Sequence, residues 1–168
     1  ARDEGLCLDV SGGGELACAL AVDFPPERIF VHGNNKTERE LREAIGAGVG
    51  RIVLDSRLEL QRVSRIAGEL GCTQKVLMRV TPGVEADTHE YIKTGCEDSK
   101  FGFTMLEDFA FRCVGDVLAV PNVELTGFHC HIGSQIFALH SFAEAVQVMV
   151  GFCARVRDHY GLQAADLD

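Results

Sequence analysis

Short apolar runs alternate with longer amphipathic segments along most of the chain, and this alternation constrains the fold more than any other feature. The apolar runs have the length of β-strands, and the segments between them have the length and spacing of amphipathic α-helices. Such a repeat predicts an α/β protein, in which helices cover a sheet of parallel strands. The predicted strands are GLCLDV, RIFVH, RIVLDS, KVLMRV and VELTGFHCH, with AADLD as the start of a sixth.

Two of the predicted helices begin with a recognisable cap. Thr37 precedes Glu40 by three residues, and Ser141 precedes Glu144 by the same interval. This is the spacing of a capping box, in which each side chain accepts a hydrogen bond from a backbone amide at the helix start. The stretch between TPGV and VELTGF is interpreted as a long insertion. The predicted helices cover about Glu15–Val22, Thr37–Gly48, Arg57–Leu70 and Ser141–Tyr160.

Polar residues stand at the end of every predicted strand. A (β/α)8 barrel assembles its site from the carboxyl ends of many strands, whereas an open doubly wound sheet concentrates its ligand contacts at one switch point. The turn VSGGGEL also lacks the GxGxxG spacing of a dinucleotide-binding sheet. We therefore predict a TIM-type (β/α)8 barrel. The polar residues are Asp9, Ser11, His32, Asn34, Asn35, Lys36, Asp55, Ser56, Arg79 and the run from His129 to Gln135.

The length of the chain predicts that this barrel is partial. A complete barrel needs eight strands and about 250 residues, whereas the 168 residues here provide about five complete βα units. We expect one domain over residues 1–168 that lacks the first and the last strands of the barrel. The chain opens at Ala1 without a methionine, so we expect it to be processed or cut from a longer protein.

Charge and composition argue against several classes of protein. The formal net charge of −9 does not provide the basic surface that a nucleic-acid backbone requires. Apolar residues make up 46% of the chain, enough for a substantial core, but charges interrupt the longest apolar stretches, so we expect no membrane span. The seven cysteines form no CxxC pair, which predicts free, buried thiols in a reducing cytoplasm.

The segment HCHIGSQ, residues 129–135, has three possible interpretations from its residues alone. His129 and His131 share one face of a strand, as a zinc pair would, but the sequence positions no third ligand. Ser134 and His131 could be a nucleophile and its base, although the GxSxG pattern is absent. The third interpretation is the wall of a cofactor pocket. We predict no metal site, and we interpret His129 as a buried, hydrogen-bonded core histidine.

Five motifs in a fixed order carry a resemblance to a known family. LDVSGGGEL, HGNNKT, RVTPGV, GCEDSKFGF and GFHCHIGSQI resemble the pyridoxal-phosphate-dependent amino-acid decarboxylases built on an alanine-racemase-like barrel. The resemblance covers essentially the whole chain, although SGGGEL differs from the commoner ASGGEL form. The GSQ ending is more similar to the diaminopimelate and biosynthetic arginine enzymes than to the ornithine enzymes. Together with EDSKFG and SQIF, it favours the diaminopimelate decarboxylases.

The resemblance implies a binding site for pyridoxal 5'-phosphate. By position in the motifs, His131 would stack on the pyridine ring, and Ser134 with Gly133 would hold the phosphate. A flat imidazole can support a flat ring, and a hydroxyl beside backbone amides suits a phosphate dianion. By the same resemblance, Arg79 and Asp9 would line the cofactor site.

The resemblance also assigns some required residues to positions outside this chain. The lysine that holds the cofactor as a Schiff base lies on the first barrel strand, before Ala1, so we predict no catalytic residue here. Lys36 and Lys100 are instead expected to be solvated or ion-pairing. Asp55 and Ser56 are expected to cap the following helix.

For the full-length protein, the resemblance implies decarboxylation of meso-diaminopimelate to L-lysine. It also implies a cytoplasmic homodimer, a small amino-acid substrate and a C-terminal β domain beyond Asp168. The segment alone is expected to be inactive, since the Schiff-base lysine and the acid that pairs with the ring nitrogen lie outside it. Two alternatives are an arginine- or ornithine-type decarboxylase and a non-catalytic cofactor-binding fragment.

Overall fold

A computed structural model of the chain describes residues 1–83, 101–137 and 139–168. Parallel strands alternate with helices, so the predicted α/β class is confirmed. The strands are β1 Leu8–Val10, β2 Ile29–Val31, β3 Arg51–Leu54, β4 Gln74–Thr81, β5 Phe103–Thr104, β6 Val123–His129 and β7 Asp166–Leu167. The helices are α1 Gly13–Ala21, α2 Glu38–Ala47, α3 Arg57–Glu69, α4 Phe109–Ala119 and α5 Leu139–Tyr160.

The strands follow the order β1-β2-β3-β4-β6-β7, with β5 beside β4. The chain divides into two compact units, and β4 and β6 contribute residues to both. The first unit comprises Ala1–Leu77 and Val117–Leu125, and the second comprises Met78–Asp116 and Thr126–Asp168.

In the first unit, β1 pairs with β2 and β2 with β3, both in parallel. The residues at the two ends of helix α2 explain where this helix begins and ends. Thr37 and Glu40 form the predicted capping box, and Gly48 ends the helix with a φ of 76°. A glycine suits this position because a Cβ disfavours the left-handed region. The core of the unit is formed by fully buried aliphatic side chains, among them Ile29, Leu41, Ile52, Leu54, Val63 and Ile66.

In the second unit, β4 pairs with β5 and β6 with β7, again in parallel. Its core includes aromatic side chains: the rings of Phe128 on β6 and Phe152 on α5 meet edge to face, with centroids 5.0 Å apart. Phe111 on α4 also contacts Phe152 edge to face, at 6.4 Å. Edge-to-face pairs of this kind stabilise a core beyond the area they bury.

Two sequence predictions are corrected here. The presumed long insertion contains β5 and α4, because β5 is too short to show a strand pattern and α4 follows two residues of positive φ, Glu107 and Asp108. The second capping box is wrong: α5 begins at Leu139, so Ser141 is a fully buried residue within the helix.

The cysteine prediction is partly wrong. Six cysteines lie within the described residues, and none of the six forms a disulfide. Cys113 is buried, but Cys7, Cys18 and Cys72 are exposed, because an apolar run in the sequence does not reveal which face of a helix or turn each side chain occupies. Among the described helices, none is long and apolar enough to cross a bilayer.

One carboxylate joins the starts of α1 and α2. Glu40 accepts hydrogen bonds from the Thr37 amide at 2.9 Å, the Thr37 hydroxyl at 2.7 Å and the Gly13 amide at 3.1 Å. These hydrogen bonds lower the pKa of the Glu40 carboxyl. The bond from the Thr37 amide has the largest effect, followed by those from the Thr37 hydroxyl and the Gly13 amide.

We expect Glu40→Ala to lower the free energy of unfolding by about 1 kcal/mol, because amides at two helix starts lose their acceptor. A lowered folded-state pKa gives stability that is present above the unfolded pKa and lost as pH falls. The difference from wild type should therefore shrink in acid. Urea denaturation of the full-length protein at neutral and acidic pH measures it. Glu38→Ala, in the same helical turn, serves as control and should show a smaller loss; equal losses from the two variants would contradict the bridging role.

Candidate functional site

The end of β6 and the residues after it carry the motif that sequence analysis selected in the second unit. His129 ends the strand and is buried, with its Nε2 4.0 Å from Asp168 Oδ2. Two backbone hydrogen bonds join this segment to Asp168, the residue that follows β7. Cys130 N donates to Asp168 O at 2.9 Å, and Asp168 N donates to Phe128 O at 3.0 Å. Burial, and secondarily the Asp168 charge, raises the pKa of the Cys130 thiol, so it is a poor nucleophile.

A cavity of about 300 Å³ opens beside this strand end. His131 and Gly133 both line it, and the imidazole of His131 is exposed. Most of the remaining wall is apolar, formed by Ile132, Phe142, Ala145, Val146, Met149 and Leu167. The structure therefore brings two of the predicted cofactor-binding residues together at one apolar-walled cavity. Ser134, the third of the motif, is exposed and follows directly, outside the lining.

The backbone of this segment is unusual at two positions. Gly133 has a φ of 139°, and Gln135 has a φ of 57°, in the left-handed region. A side chain in that region costs free energy and occurs most often where surrounding structure or function requires it. Ser134 lies between these two residues, so its position depends on a specific backbone turn.

Arg79 lies within β4, also in the second unit. Its guanidinium stacks on the ring of Phe101 at 5.0 Å from the centroid. The chain returns very close to the strand here, since a Cβ on Gly102 would lie 2.6 Å from Arg79 O. The predicted cofactor role of Arg79 therefore stays a prediction, while its observed contact is with an aromatic ring.

Asp9 and His32 meet in the first unit. Asp9 lies on β1 and is exposed, whereas His32 directly follows β2 and is largely covered. His32 Nε2 lies 3.4 Å from Asp9 Oδ1, and His32 N donates to Val10 O at 2.7 Å. The predicted site residue Asp9 therefore has an imidazole beside it, which the sequence motifs did not indicate.

A buried ion pair holds the turn that follows His32. Lys36 Nζ is 2.8 Å from Glu59 Oε1, and both side chains are less than one-tenth exposed, at 3% and 7%. The expectation that Lys36 forms an ion pair is confirmed, and the alternative of a solvated lysine is wrong. Lys100 lies outside the described residues. Ser56 caps α3 as predicted, since its hydroxyl accepts from Glu59 N at 3.2 Å.

The first unit contains a small cavity of about 130 Å³ that was not predicted as a pocket from the sequence. The turn between His32 and Lys36 forms one side, and Ser11 with the glycines that open α1 forms another. Polar residues after both strands did signal a site here, but the sequence could not show that the two loops meet.

The two alternatives for HCHIGSQ gain no support. Within residues 1–83, 101–137 and 139–168, no group of three metal-ligand side chains contains both His129 and His131. His129 is buried beside Asp168, as expected of a core histidine. No hydrogen bond between Ser134 and His131 is found among the described residues, so the geometry does not support a nucleophile and its base.

Comparison with known proteins shows the family to which the chain belongs. The family model of the pyridoxal-dependent decarboxylases, pyridoxal-binding domain, matches residues 1–168. The chain belongs to this family. Pyridoxal phosphate is therefore the cofactor of the domain, and the predicted resemblance is confirmed.

Several curated relatives of the chain are diaminopimelate decarboxylases. The Mycobacterium tuberculosis enzyme is 51% identical over 159 residues, which is 95% of this chain and 36% of the relative. The Mycobacterium leprae enzyme is 54% identical over 149 residues, 89% of this chain and 32% of the relative. The Bacillus subtilis enzyme is 47% identical over 160 residues. The chain thus spans about a third of the length of these decarboxylases.

Solved structures of the family agree. Diaminopimelate decarboxylase from M. jannaschii in complex with L-lysine is 33% identical, with a TM-score of 0.85 over 95% of this chain and 36% of that one. The Helicobacter pylori enzyme, also in complex with L-lysine, is 30% identical, with a TM-score of 0.84 over 95% of this chain and 39% of that one. The predicted partial barrel of the alanine-racemase-like type is confirmed by these matches.

Proposed function

We propose that the full-length protein decarboxylates meso-diaminopimelate to L-lysine with pyridoxal phosphate. The observation that carries the proposal is the 51% identity to the Mycobacterium tuberculosis diaminopimelate decarboxylase over 95% of this chain. The L-lysine complexes of two structural neighbours support it, because L-lysine is the product of this reaction.

The residues at the end of β6 fit the cofactor. The cavity of about 300 Å³ has an imidazole, His131, and a glycine, Gly133, in an otherwise mostly apolar wall. An apolar wall suits an aromatic ring, and a flat imidazole can stack on its face. Gly133 has no Cβ, so its backbone can approach a phosphate group closely. When bound, pyridoxal phosphate supplies the electron sink that lets a carboxyl group leave as carbon dioxide.

The chain's own residues would bind and orient the cofactor. We propose that His131 stacks on the pyridine ring and that the Ser134 hydroxyl donates a hydrogen bond to the phosphate. At Gly133, the absence of a Cβ lets the phosphate approach the backbone closely. Arg79 and Asp9 are proposed to line the site through their charges. No residue of this chain is assigned a catalytic proton transfer.

Two properties of the whole protein follow from the same family membership as proposals. We propose a homodimer, and we propose that it works in the cytoplasm. Residues 1–168 would form part of one barrel domain in the longer chain. Light scattering coupled to size-exclusion chromatography tests the first: a mass of one chain at working concentration would contradict it.

The substrate proposal is tested with three amino acids in parallel. Purified full-length protein with added pyridoxal phosphate is given meso-diaminopimelate, arginine or ornithine at equal concentration, and released carbon dioxide is measured. We expect the highest kcat/KM for diaminopimelate. A higher value for arginine or ornithine would make this an arginine- or ornithine-type decarboxylase.

Ser134→Ala should weaken cofactor binding about tenfold or more, because one hydrogen bond to a charged group contributes roughly 1.5–3 kcal/mol. Titration of the full-length apoprotein with pyridoxal phosphate measures the change. Ser56→Ala is a matched control, since this serine caps α3 and its loss should change stability alone. Equal cofactor affinity of wild type and Ser134→Ala would exclude the phosphate contact.

His131→Ala should shift the visible absorbance band of the bound cofactor and weaken its binding. A stacking contact between rings contributes on the order of 1 kcal/mol beyond the area it buries, so the affinity should fall severalfold. The control is His129→Ala, which should lower the free energy of unfolding while leaving the band in place. An unchanged band and affinity in His131→Ala would rule out stacking.

A further inference from the structure

The ion pair between Lys36 and Glu59 uses every hydrogen-bonding group available to the lysine. Lys36 Nζ donates to Gly33 O at 2.6 Å and to Val53 O at 2.8 Å, and its third contact is Glu59 Oε1 at 2.8 Å. On the other side, Glu59 Oε2 accepts from Asp55 N at 2.8 Å. One buried network therefore ties the turn after β2 to the end of β3 and to α3.

What this network holds is the turn from Gly33 to Lys36. Gly33 has a φ of 104°, and a Cβ placed there would lie 3.0 Å from Ser11 O, so the turn lies directly against the end of β1. Lys36 closes the turn on itself through the Gly33 carbonyl. An ammonium with three fixed acceptors cannot easily change rotamer. The buried Lys36 side chain therefore restrains the conformation of the turn.

The restrained turn also fixes the position of His32. This histidine directly precedes Gly33, and its imidazole lies 3.4 Å from Asp9. We propose that Lys36 and Glu59 are positioning residues that fix His32 against Asp9 and so set the Asp9 carboxylate for the cofactor. This inference rests on the proposed function, specifically on Asp9 lining the cofactor site. Neither Lys36 nor Glu59 would touch the cofactor.

A merely structural ion pair makes a different prediction. A buried pair replaced by apolar residues of similar volume commonly keeps or gains stability. If stability were its only role, Lys36→Met/Glu59→Leu should retain full activity. If the pair positions the turn, the double variant should fold but lose activity, because the Gly33 and Val53 carbonyls lose the donor that holds them.

The test uses the full-length holoenzyme and three measurements: the midpoint of thermal unfolding, the visible spectrum of the bound cofactor, and kcat and KM for diaminopimelate. For Lys36→Met/Glu59→Leu we expect a folded protein, an altered spectrum and a kcat about tenfold lower, with a smaller change in KM. The control is Arg39→Met/Glu43→Leu, which removes an exposed pair of equal length, 2.8 Å, on the neighbouring helix. It should match wild type in all three.

A folded double variant with the kcat and spectrum of wild type would overturn the proposal. If the double variant does not fold, Glu59→Gln decides, because its amide oxygen can still accept from Lys36 Nζ and both carbonyl contacts remain, while the Asp55 amide loses its acceptor. Positioning then predicts a spectrum and kcat close to wild type despite lower stability, and a tenfold lower kcat in this variant would overturn it.

Asp9→Asn separates this inference from the proposed function. Should Asp9→Asn leave cofactor affinity and spectrum unchanged, the proposed role of Asp9 fails, and the positioning proposal fails with it. If wild type does not decarboxylate diaminopimelate, the substrate proposal fails, but the cofactor spectra of the variants still test the positioning. If Asp9→Asn changes the cofactor spectrum or affinity but the double variant does not change the spectrum or kcat, the positioning proposal fails while the proposed role of Asp9 stands.

Discussion

Lys36→Met in the full-length protein is expected to lower the free energy of unfolding by about 3–5 kcal/mol, the usual cost of leaving one member of a buried ion pair without its partner. Among the described residues, Glu59 would keep the Asp55 amide as the one hydrogen-bond partner of its carboxylate. The loss should exceed that of Arg39→Met, because the ion pair of Arg39 with Glu43 is exposed and solvent weakens it.

The pH dependence gives this prediction a second readout. Burial already raises the pKa of Glu59, against the opposing effects of Lys36 and the Asp55 amide, and removing Lys36 raises it further. An acid with a raised folded-state pKa binds more protons when folded, so its stability is lost as pH rises through that pKa. The cost of Lys36→Met should therefore be smallest in acid and should grow as the pH rises to mildly alkaline values.

Urea denaturation of wild type, Lys36→Met and Arg39→Met across this pH range measures both effects. A loss for Lys36→Met no larger than that for Arg39→Met, or a loss that grows in acid, would contradict the buried pair described here.

Gly127→Ala is expected to lower the free energy of unfolding by about 3 kcal/mol, at the upper end of what overpacking costs. Gly127 on β6 pairs with Asp166 on β7, and a Cβ placed there would lie 1.9 Å from Asp166 O and 2.7 Å from Asp166 C. The obstacle is backbone, so no side-chain rotation relieves it. The two strands must separate, and Leu167 and Asp168, which line the cavity beside His131, must move with β7.

Gly151→Ala is the matched control on α5. Nothing lies within 4 Å of a Cβ at that position, and alanine in a helix interior stabilises by roughly 0.5–1 kcal/mol relative to glycine. Thermal unfolding of both variants, with titration of the cofactor, gives the comparison. Equal stability of Gly127→Ala and wild type would show that β6 and β7 do not approach as closely as described.

The sequence allowed most elements to be predicted because their signals are local. The Thr37 capping box and the Ser56 cap lie where they were expected, since a cap depends on residues within one helical turn. Helix α4 was missed because it follows a strand of only two residues and is preceded by two residues of positive φ, Glu107 and Asp108. Ser141 had the spacing of a cap, but α5 starts two residues before it and buries it.

The candidate site was predictable in its motif and not in its supporting contacts. HCHIGSQ could be matched to the family, and the cavity beside His131 and Gly133 agrees with that match. The pairing of Lys36 with Glu59 joins residues 23 positions apart, on a turn and a helix, which no local pattern indicates. Similarly, nothing in the motif around Asp9 indicated that His32 would lie beside it.

The most direct test of the proposed function is the ratio of carbon dioxide to lysine formed when the full-length protein is given meso-diaminopimelate. Full-length apoprotein, with and without added pyridoxal phosphate, is given carboxyl-labelled meso-diaminopimelate, and both carbon dioxide and lysine are quantified. We predict that they form in equal amounts and only with the cofactor present. Release that does not depend on pyridoxal phosphate, or carbon dioxide without lysine, would contradict the assignment of this chain to a diaminopimelate decarboxylase.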